Sequence, residues 1–324
     1  MSRVLNALLT PVLIAVVFAA PANAQSPESA AAARGYRIVT EHLGSPAGLS
    51  VDVAAMNNNR AIVGRAYSTT SEHAFPFLWT PARGFVRFLG DVEGEATGIN
   101  NRGVIVGRRF VGDLTFGFLW SADRGTVDLG TFLPNDINEL GQIAGICSDT
   151  IQSLGACVWN AGVVTPINDG VAYAINDRGQ VAGQLGNTGF VWEAITGTTL
   201  LTGPGQTTAN DINRYGEVAG AVCPCAGDPL FHAAKWDGGV HRLSRVLPAF
   251  STGYAINSIG AIVGLYHRAP LETRAFAMLA DGATFDLGVG EARAVNDRLE
   301  ASGISWTPGS DVVELVVWRA VPIQ

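Results

Sequence analysis

The chain has 324 residues, of which 48% are hydrophobic and 15% charged, and its formal net charge is −7 at pH 7 with Lys235 as the one lysine. This acidic balance excludes a nucleic-acid-binding footprint, which needs clustered positive charge, so we predict no nucleic-acid partner. Beyond the N-terminus no segment reaches the roughly 20 consecutive apolar residues that a spanning helix requires, and we predict no membrane span in the mature chain.

The N-terminal residues have the composition of an export signal. Arg3 precedes an apolar run over residues 12–20, and Ala22-Asn23-Ala24 has the small-x-small pattern that a signal peptidase cuts. We predict a signal peptide over residues 1–24, and the alternative is an uncleaved N-terminal anchor. Residues 25–34, rich in Ser and Ala, are predicted to be a flexible leader. The mature protein is therefore expected to be exported, to the periplasm or the exterior.

From residue 35 onward the chain repeats one pattern seven times. Each unit has an Asn with a Gly seven residues later, and successive units are 37 to 44 residues apart. An apolar cluster follows 16 to 23 residues after the Asn and ends on Trp in six units. Four short strand-like pieces at this period are typical of a propeller blade. The sequence predicts an all-β, seven-bladed β-propeller of four-stranded antiparallel blades over residues 35–324, with repeats anchored at Asn57, Asn100, Asn138, Asn176, Asn213, Asn257 and Asn296.

The repeated residues have structural explanations. In the turn over residues 100–103, Asn100 is expected to bond its own backbone, and Gly103 supplies the positive φ that closes the hairpin. The second Gly of the unit, such as Gly107, permits close approach of a neighbouring backbone. The Trp residues are expected to fill the space between diverging blades. We therefore interpret the face that carries these turns as structural.

The two ends of the chain predict how the ring closes. The seventh unit has three strands and ends without a fourth. Residues 36–42 precede the first unit, and Leu43-Gly44 matches the Leu-Gly pairs that end fourth strands elsewhere, such as Leu129-Gly130. Pairing this N-terminal strand with the last three strands would complete blade seven and leave no open sheet edge.

At these residues the chain resembles the extracellular repeat proteins named for a His-Ala-Phe (HAF) motif. The resemblance covers about residues 36–320 and includes Asn176 with Gly179 and Gly183, and the Val-Asp-Leu-Gly-Thr of residues 127–131. The naming motif is reduced: His232 keeps its usual distance from Trp, whereas His73 lies two residues further away. The resemblance implies propeller-like repeats and export.

Four cysteines suit an oxidising compartment. Cys147 and Cys157 flank one predicted hairpin loop, and Cys223 and Cys225 lie in the equivalent loop of blade five. We predict the disulfides Cys147–Cys157 and Cys223–Cys225. The alternative for the second pair is a metal site with His232, although the paired Cys-x-x-Cys spacing of zinc sites is missing.

No catalytic motif appears, neither a Gly-x-Ser-x-Gly elbow, a His-Glu-x-x-His pair nor a phosphate-binding loop, and no cofactor is predicted. The loops that enter each first strand carry acidic and aromatic residues near the axis, on the face opposite the Asn turns. Such a ring would suit a cation, a basic peptide or a sugar, or it is simply a solvated rim. The candidate ligand-binding residues are Asp136, Tyr173, Asp211, Tyr254, Glu95 and Glu291.

Two functional hypotheses follow. The first is a secreted or envelope-associated binding or scaffold module that presents a propeller face to a protein, peptide or glycan partner. The alternative is a polysaccharide-active enzyme, a glycosidase or lyase, that uses carboxylates from different blades. Two carboxylates facing each other across a central pocket, about 5 to 10 Å apart, would favour the enzyme.

Overall fold

The computed structural model describes residues 36–322 except 47, 71–72, 151–152, 226–229, 239, 243–246, 248–249, 270–271 and 308–311. The predicted signal peptide and leader, residues 1–24 and 25–34, lie outside the described residues. Within the described chain there is no helix, and 28 strands form seven sheets of four. The prediction of a seven-bladed propeller with antiparallel blades is confirmed.

Strand β1 (Tyr36–Gly44) precedes the blades. Blades one and two comprise β2 (Ser50–Met56), β3 (Ile62–Tyr67), β4 (Ala74–Thr80), β5 (Gly84–Val86), β6 (Gly94–Ile99), β7 (Ile105–Val111), β8 (Leu114–Ser121) and β9 (Gly125–Gly130). Blades three and four comprise β10 (Leu133–Ile137), β11 (Ile143–Thr150), β12 (Ser153–Asn160), β13 (Val163–Asn168), β14 (Val171–Ile175), β15 (Val181–Leu185), β16 (Thr188–Glu193) and β17 (Gly197–Leu200). Blades five and six comprise β18 (Gln206–Ile212), β19 (Val218–Cys223), β20 (His232–Trp236), β21 (Val240–Arg242), β22 (Ser251–Ile256), β23 (Ile262–Ala269), β24 (Glu272–Met278) and β25 (Thr284–Val289). Blade seven comprises β26 (Glu291–Val295), β27 (Glu300–Trp306), β28 (Val313–Pro322) and β1.

The N-terminal strand closes the ring as predicted. Strand β1 pairs antiparallel with β28, with Ile38 opposite Ala320 and Thr40 opposite Trp318. The first strands of the seven blades contact one another in a closed circle, and β2 contacts β26. The closure is held by charge as well, because Arg60 of blade one forms ion pairs with Glu41 of β1 and Glu300 of β27. The first and last strands of the described chain therefore pair inside one blade.

Every first strand has a bulge at the same place, three residues before the repeat Asn. The register shifts there in all seven blades, for example between Pro134 and Asp136 in β10 and between Ala209 and Asp211 in β18. The Gly seven residues after each Asn lies directly across from the bulge. A Cβ at Gly220 would overlap the carbonyl oxygen of Thr208, and the equivalent overlap occurs in every blade. The Gly is thus required by close backbone approach, as the sequence predicts.

The hydrophobic core is divided among the spaces between blades. Each pair of neighbouring blades encloses one cluster of buried residues in the described chain, including the pair formed by blades seven and one. The third-strand Trp residues belong to these clusters, and Trp318 is only 1% exposed between blades six and seven. Burial of aromatic surface at every junction holds the ring rigid around its axis.

Candidate binding site in the central channel

The first strands line a channel on the propeller axis, and their bulges decide which side chains cross to the neighbouring strand. Asn135, at the bulge of β10, donates to the carbonyl of Ala172 in blade four at 2.6 Å. Asn210, at the bulge of β18, donates to the carbonyl of Gly253 in blade six at 2.8 Å. Tyr173 and Tyr254 occupy the same bulge position in β14 and β22. The bulge position is therefore a ring of side chains on the channel wall.

All six candidate residues lie within first strands, so the prediction that they lie in loops is wrong. Sequence reasoning located the strand starts too late, because the bulge interrupts the alternation of buried and exposed residues that marks a strand. Asp136, Tyr173 and Asp211, which come from blades three, four and five, lie on one side of the channel. The six and their strands are Glu95 in β6, Asp136 in β10, Tyr173 in β14, Asp211 in β18, Tyr254 in β22 and Glu291 in β26.

Asp136 and Asp211 are carboxylates that join neighbouring blades. Asp136 accepts from the amides of Ile137 and of Ile175 in blade four at 2.8 and 2.9 Å. Asp211 accepts likewise from Ile212 and from Ile256 in blade six at 2.7 and 2.8 Å. Burial raises the pKa of Asp136 to about 7, and the charge of Asp211 contributes to the rise. Burial raises the pKa of Asp211 to about 6, against the effect of its two amide donors.

Glu95 and Glu291 belong to a charged half of the channel that was predicted from the sequence only in part. At the position five residues before the repeat Asn, blades seven, one and two carry Glu291, Asp52 and Glu95, and each pairs with an arginine. Two of the arginines follow their acids by 13 residues, on the second strand of the same blade, and the third follows by two residues. The pairs are Arg65–Asp52 at 2.7 Å, Arg108–Glu95 at 3.2 Å, and Arg293–Glu291. The corresponding positions of the other blades are uncharged: Leu133, Val171, Thr208 and Thr252.

The two tyrosines have different surroundings. The guanidinium of Arg293 lies 4.2 Å from the ring centroid of Tyr254, so this aromatic ring of blade six is stacked against the charged half of the channel. Tyr173 is 38% exposed. An exposed ring opposite a set of fixed ion pairs provides an apolar surface next to hydrogen-bonding groups.

The repeat asparagines do more than form their own turns. As predicted, Asn100 accepts from the amides of Arg102 and Val104 at 3.1 Å, and Gly103 has a φ of 75°. In addition, six of the seven Asn side chains donate to the backbone carbonyl of the repeat Asn in the next blade, at 2.9 to 3.1 Å. At the seventh junction, Asn58 and Asp297 exchange two hydrogen bonds of 2.9 Å. An amide can accept in the turn and donate across the junction at once, whereas the carboxylate of an Asp at this position would have no donor for the junction.

This hydrogen-bonded belt surrounds a cavity of about 360 Å³ at the turn end of the channel. Its walls are the belt itself and the residues on either side of it in each blade. The residues before the belt are apolar, such as Ile137, Ile175 and Ile212, and those after it are mostly polar or charged. The sequence analysis assigned this end of the channel to structure alone.

The structure contains both predicted cysteine pairs. Cys147 of β11 is joined to Cys157 of β12, and Cys223 to Cys225. Cysteines in a disulfide have no thiolate for a metal, so this pairing and the alternative site with His232 exclude each other. In the described part of the chain no three His, Cys, Asp or Glu side chains are arranged to hold a metal ion. Nor is any helix there long and apolar enough to cross a membrane.

No protein-family model matches the sequence, and no curated protein matches it either. Solved structures do resemble it. An acylaminoacyl peptidase in complex with Z-Gly-Gly-Phe-chloromethyl ketone superposes with a TM-score of 0.56 at 10% identity, over 85% of this chain and 52% of that chain. A Pyrococcus horikoshii acylaminoacyl peptidase gives 0.52 at 10% identity, with coverage of 85% and 52%. A gluconolactonase from Xanthomonas campestris gives 0.43 at 11% identity, with coverage of 87% and 89%. The chain spans about half the length of the peptidase chains, and at this identity the likeness shows the propeller fold alone.

Proposed function

We propose that this protein is an exported binding or scaffold module of the HAF-repeat type, and that its channel wall binds a glycan or another hydroxyl-rich ligand. The observation that carries the proposal is the division of the channel wall into two halves. Three acid–arginine pairs from blades seven, one and two lie on one side. Tyr173, with an exposed ring, lies on the other.

The chemistry of this wall favours a neutral polar ligand over a charged one. Each acid of the charged half is already neutralised by its arginine, so a charged ligand gains little there. Fixed carboxylates accept from hydroxyl groups, and guanidinium groups donate to them in defined directions. A tyrosine ring adds an apolar surface for the face of a sugar. Pre-organised groups on a rigid ring bind with a small entropic cost.

One observation favours the alternative, a polysaccharide-active enzyme. Asp136 and Asp211 come from different blades and line the same channel, and the charge of Asp211 contributes to the raised pKa of Asp136. Their raised pKa values, about 7 and about 6, suit a general acid and a general base near neutral pH. Each carboxylate, however, already bridges two blades through backbone amides, and this is a structural task.

A glycan array incubated with the mature protein tests the proposal. We expect retention of a defined set of glycans and roughly ten-fold weaker binding by Tyr173→Ser, since a buried aromatic contact contributes about 1.4 kcal/mol or more. The matched control is Tyr215→Ser, an exposed tyrosine on the opposite face. An array with no specific glycan, or equal losses in both variants, contradicts the proposal. Shortened glycans in the supernatant, absent with Asp136→Asn, would support the enzyme instead.

A further inference from the structure

The turn face carries a ring of seven exposed side chains, one from the second position after each repeat Asn. We call this set the turn rim. On the side of blades three, five and six its members are large and apolar: Leu140, Tyr215 and Ile259 are 67%, 58% and 50% exposed. Ile195 of blade four, in the neighbouring turn between β16 and β17, is 96% exposed. The turn rim consists of Asn59, Arg102, Leu140, Arg178, Tyr215, Ile259 and Arg298.

These apolar residues form a one-sided patch. Blades three, five and six each contribute one of them at the rim position, and blade four contributes Ile195 from its neighbouring turn. The rim positions of blades four, seven, one and two are polar or charged: Arg178, Arg298, Asn59 and Arg102. Exposed hydrophobic residues scattered singly are ordinary, but a group on one side of one face indicates an interaction site. The guanidinium of Arg214 stacks on the Tyr215 ring at 4.8 Å, and Tyr and Arg are, with Trp, the residue types enriched where partner proteins bind tightly.

The residues immediately after the repeat asparagines form a second ring inside the turn rim, around the cavity mouth. At five of its junctions, the backbone amide of one member donates to the side-chain oxygen of the next, at 2.7 to 2.9 Å. Arg214 interrupts this ring because arginine has no acceptor. The mouth ring consists of Asn58, Asn101, Glu139, Asp177, Arg214, Ser258 and Asp297.

The cavity is acidic from its mouth inward. The mouth ring has three carboxylates, Glu139, Asp177 and Asp297, against the one guanidinium of Arg214, a net formal charge of −2. Three arginines of the turn rim lie outside this ring, so the negative charge is confined to the cavity itself. Deeper in the channel are Asp136 and Asp211, and the charge of Asp177 acts on Asp136. Within the described chain none of these five carboxylates forms an ion pair at 4.0 Å or less. The acids on the channel wall of blades seven, one and two are neutralised by arginines, whereas the carboxylates at the turn end of the channel are not.

We propose that the turn face docks a partner protein, which inserts a lysine or arginine side chain into the cavity and packs apolar residues against Leu140, Tyr215 and Ile259. The volume of about 360 Å³ admits one long side chain with water. The isoleucines below the belt contact its aliphatic stem, and the carboxylates surround its charged end. This surface is separate from the glycan site on the channel wall and does not depend on it. A protein on one face and a glycan on the other would make the propeller a connecting module.

Charge complementarity selects this occupant. An acidic peptide would bring negative charge to a mouth that is already negative, and a neutral sugar would leave the carboxylates uncompensated. A second copy of this chain carries a formal net charge of −7, which opposes its approach to an acidic mouth. A basic segment of a different protein meets both the charge and the apolar patch.

The test is a pentapeptide array with Lys, Arg, Gln or Glu fixed at the centre and random flanking residues, probed with the mature chain. Lys- and Arg-centred peptides should bind about ten-fold more tightly than Gln- and Glu-centred ones. A difference of this size corresponds to one charge contact. Glu139→Gln combined with Asp177→Asn should remove that preference while leaving the melting temperature unchanged, because each amide keeps the one side-chain oxygen that accepts at its junction. Asp91→Asn is the matched control, since its side chain is 97% exposed in a loop of the other face.

Apolar contact is tested by Tyr215→Ser, which should weaken peptide binding several-fold, while Tyr173→Ser should not. Four results would each overturn the proposal: no peptide binding, equal binding of Lys- and Glu-centred peptides, equal losses in the Asp91→Asn control, or a dimer in sedimentation that Tyr215→Ser dissociates. The last result would identify a second copy as the occupant. Glycan binding that persists in the Tyr215→Ser variant leaves the channel-wall site intact, so the two proposals fail independently.

Discussion

At the scale of single residues, the repeat glycines are required for two different physical reasons. Gly103 has a φ of 75° with open space around it, whereas Gly220 has no positive φ but faces the carbonyl of Thr208. Arg60 and Leu299 occupy the Gly103 position in blades one and seven with φ values of 64° and 61°. A side chain is therefore tolerated there, at the cost of left-handed strain.

We expect Gly220→Ala to be more destabilising than Gly103→Ala. Alanine at position 220 would force the bulged strand away and cost about 3 kcal/mol, whereas alanine at position 103 costs about 1 kcal/mol through φ alone. Urea unfolding of both variants measures the difference. Equal losses would show that the close approach at the bulge does not limit stability.

The carboxyl of Asp136 should make stability depend on pH. Its pKa is about 7 in the folded protein and near 3.8 when unfolded, so between these values the unfolded chain releases a proton that the folded protein keeps. The folded state therefore binds more protons in this window, and its stability falls as pH rises from about 4 to about 7. Asp136→Asn removes this dependence.

Between pH 4 and pH 7.5, the free energy of unfolding of Asp136→Asn should rise by about 2 kcal/mol relative to that of the wild type. This value allows for the screening of the carboxylate by water in the channel. The measurement is a series of urea titrations of both proteins across that range. Subtracting the unfolding free energies of the two proteins at each pH removes the contributions of the other titrating groups. A constant difference would show that the carboxyl ionises normally in the channel.

At the scale of strands and blades, the repeat period and the chain ends were enough to predict the number of blades and the pairing of β1 with β28. Sequence reasoning identified the turn role of each Asn, because a turn is local. It did not identify the hydrogen bonds between asparagines of successive blades, because a donor 37 to 44 residues away has no local pattern. The bulge in each first strand was not predicted for a related reason, because its cause is the Gly that lies opposite it on the second strand of the blade.

Removing the closing strand should open the ring. Deletion of residues 35–44 leaves β28 with an unpaired edge and removes the ion pair of Glu41 with Arg60. We expect aggregation or a large fall in melting temperature. Light scattering and thermal melts of the truncated and full mature proteins provide the comparison, and identical behaviour would rule out closure by β1.

The Cys147–Cys157 bond should contribute about 2 to 3 kcal/mol, because it closes a loop of about ten residues in the unfolded chain. Replacing both residues by alanine should lower the free energy of unfolding by that amount. The Cys223 and Cys225 pair, replaced in the same way, is the control, since its loop is only two residues long. The expectation is wrong if mass spectrometry of non-reduced digests finds Cys147 and Cys157 as free thiols.

At the scale of the whole molecule, the ring has two ends with different chemistry. The channel wall of blades seven, one and two has its charges paired, whereas the cavity at the turn end is lined by carboxylates that form no ion pair within the described chain, with apolar residues beside it. Sequence reasoning placed ligand binding on one face and structure on the other. The described structure assigns structural work to both ends, because Asp136 and Asp211 bridge blades as the asparagines do.

The most direct test of the central claim, that the channel wall binds the ligand while the turns build the ring, is a paired measurement of affinity and melting temperature. The ligand is the glycan retained most strongly on the array. Tyr173→Ala and Tyr254→Ala should each weaken its binding by about 1 kcal/mol or more with little change in melting temperature. Gly103→Val should lower the melting temperature and leave the affinity of the folded protein unchanged. Normal binding by both tyrosine variants, with binding lost in the folded Gly103→Val protein, would contradict the account.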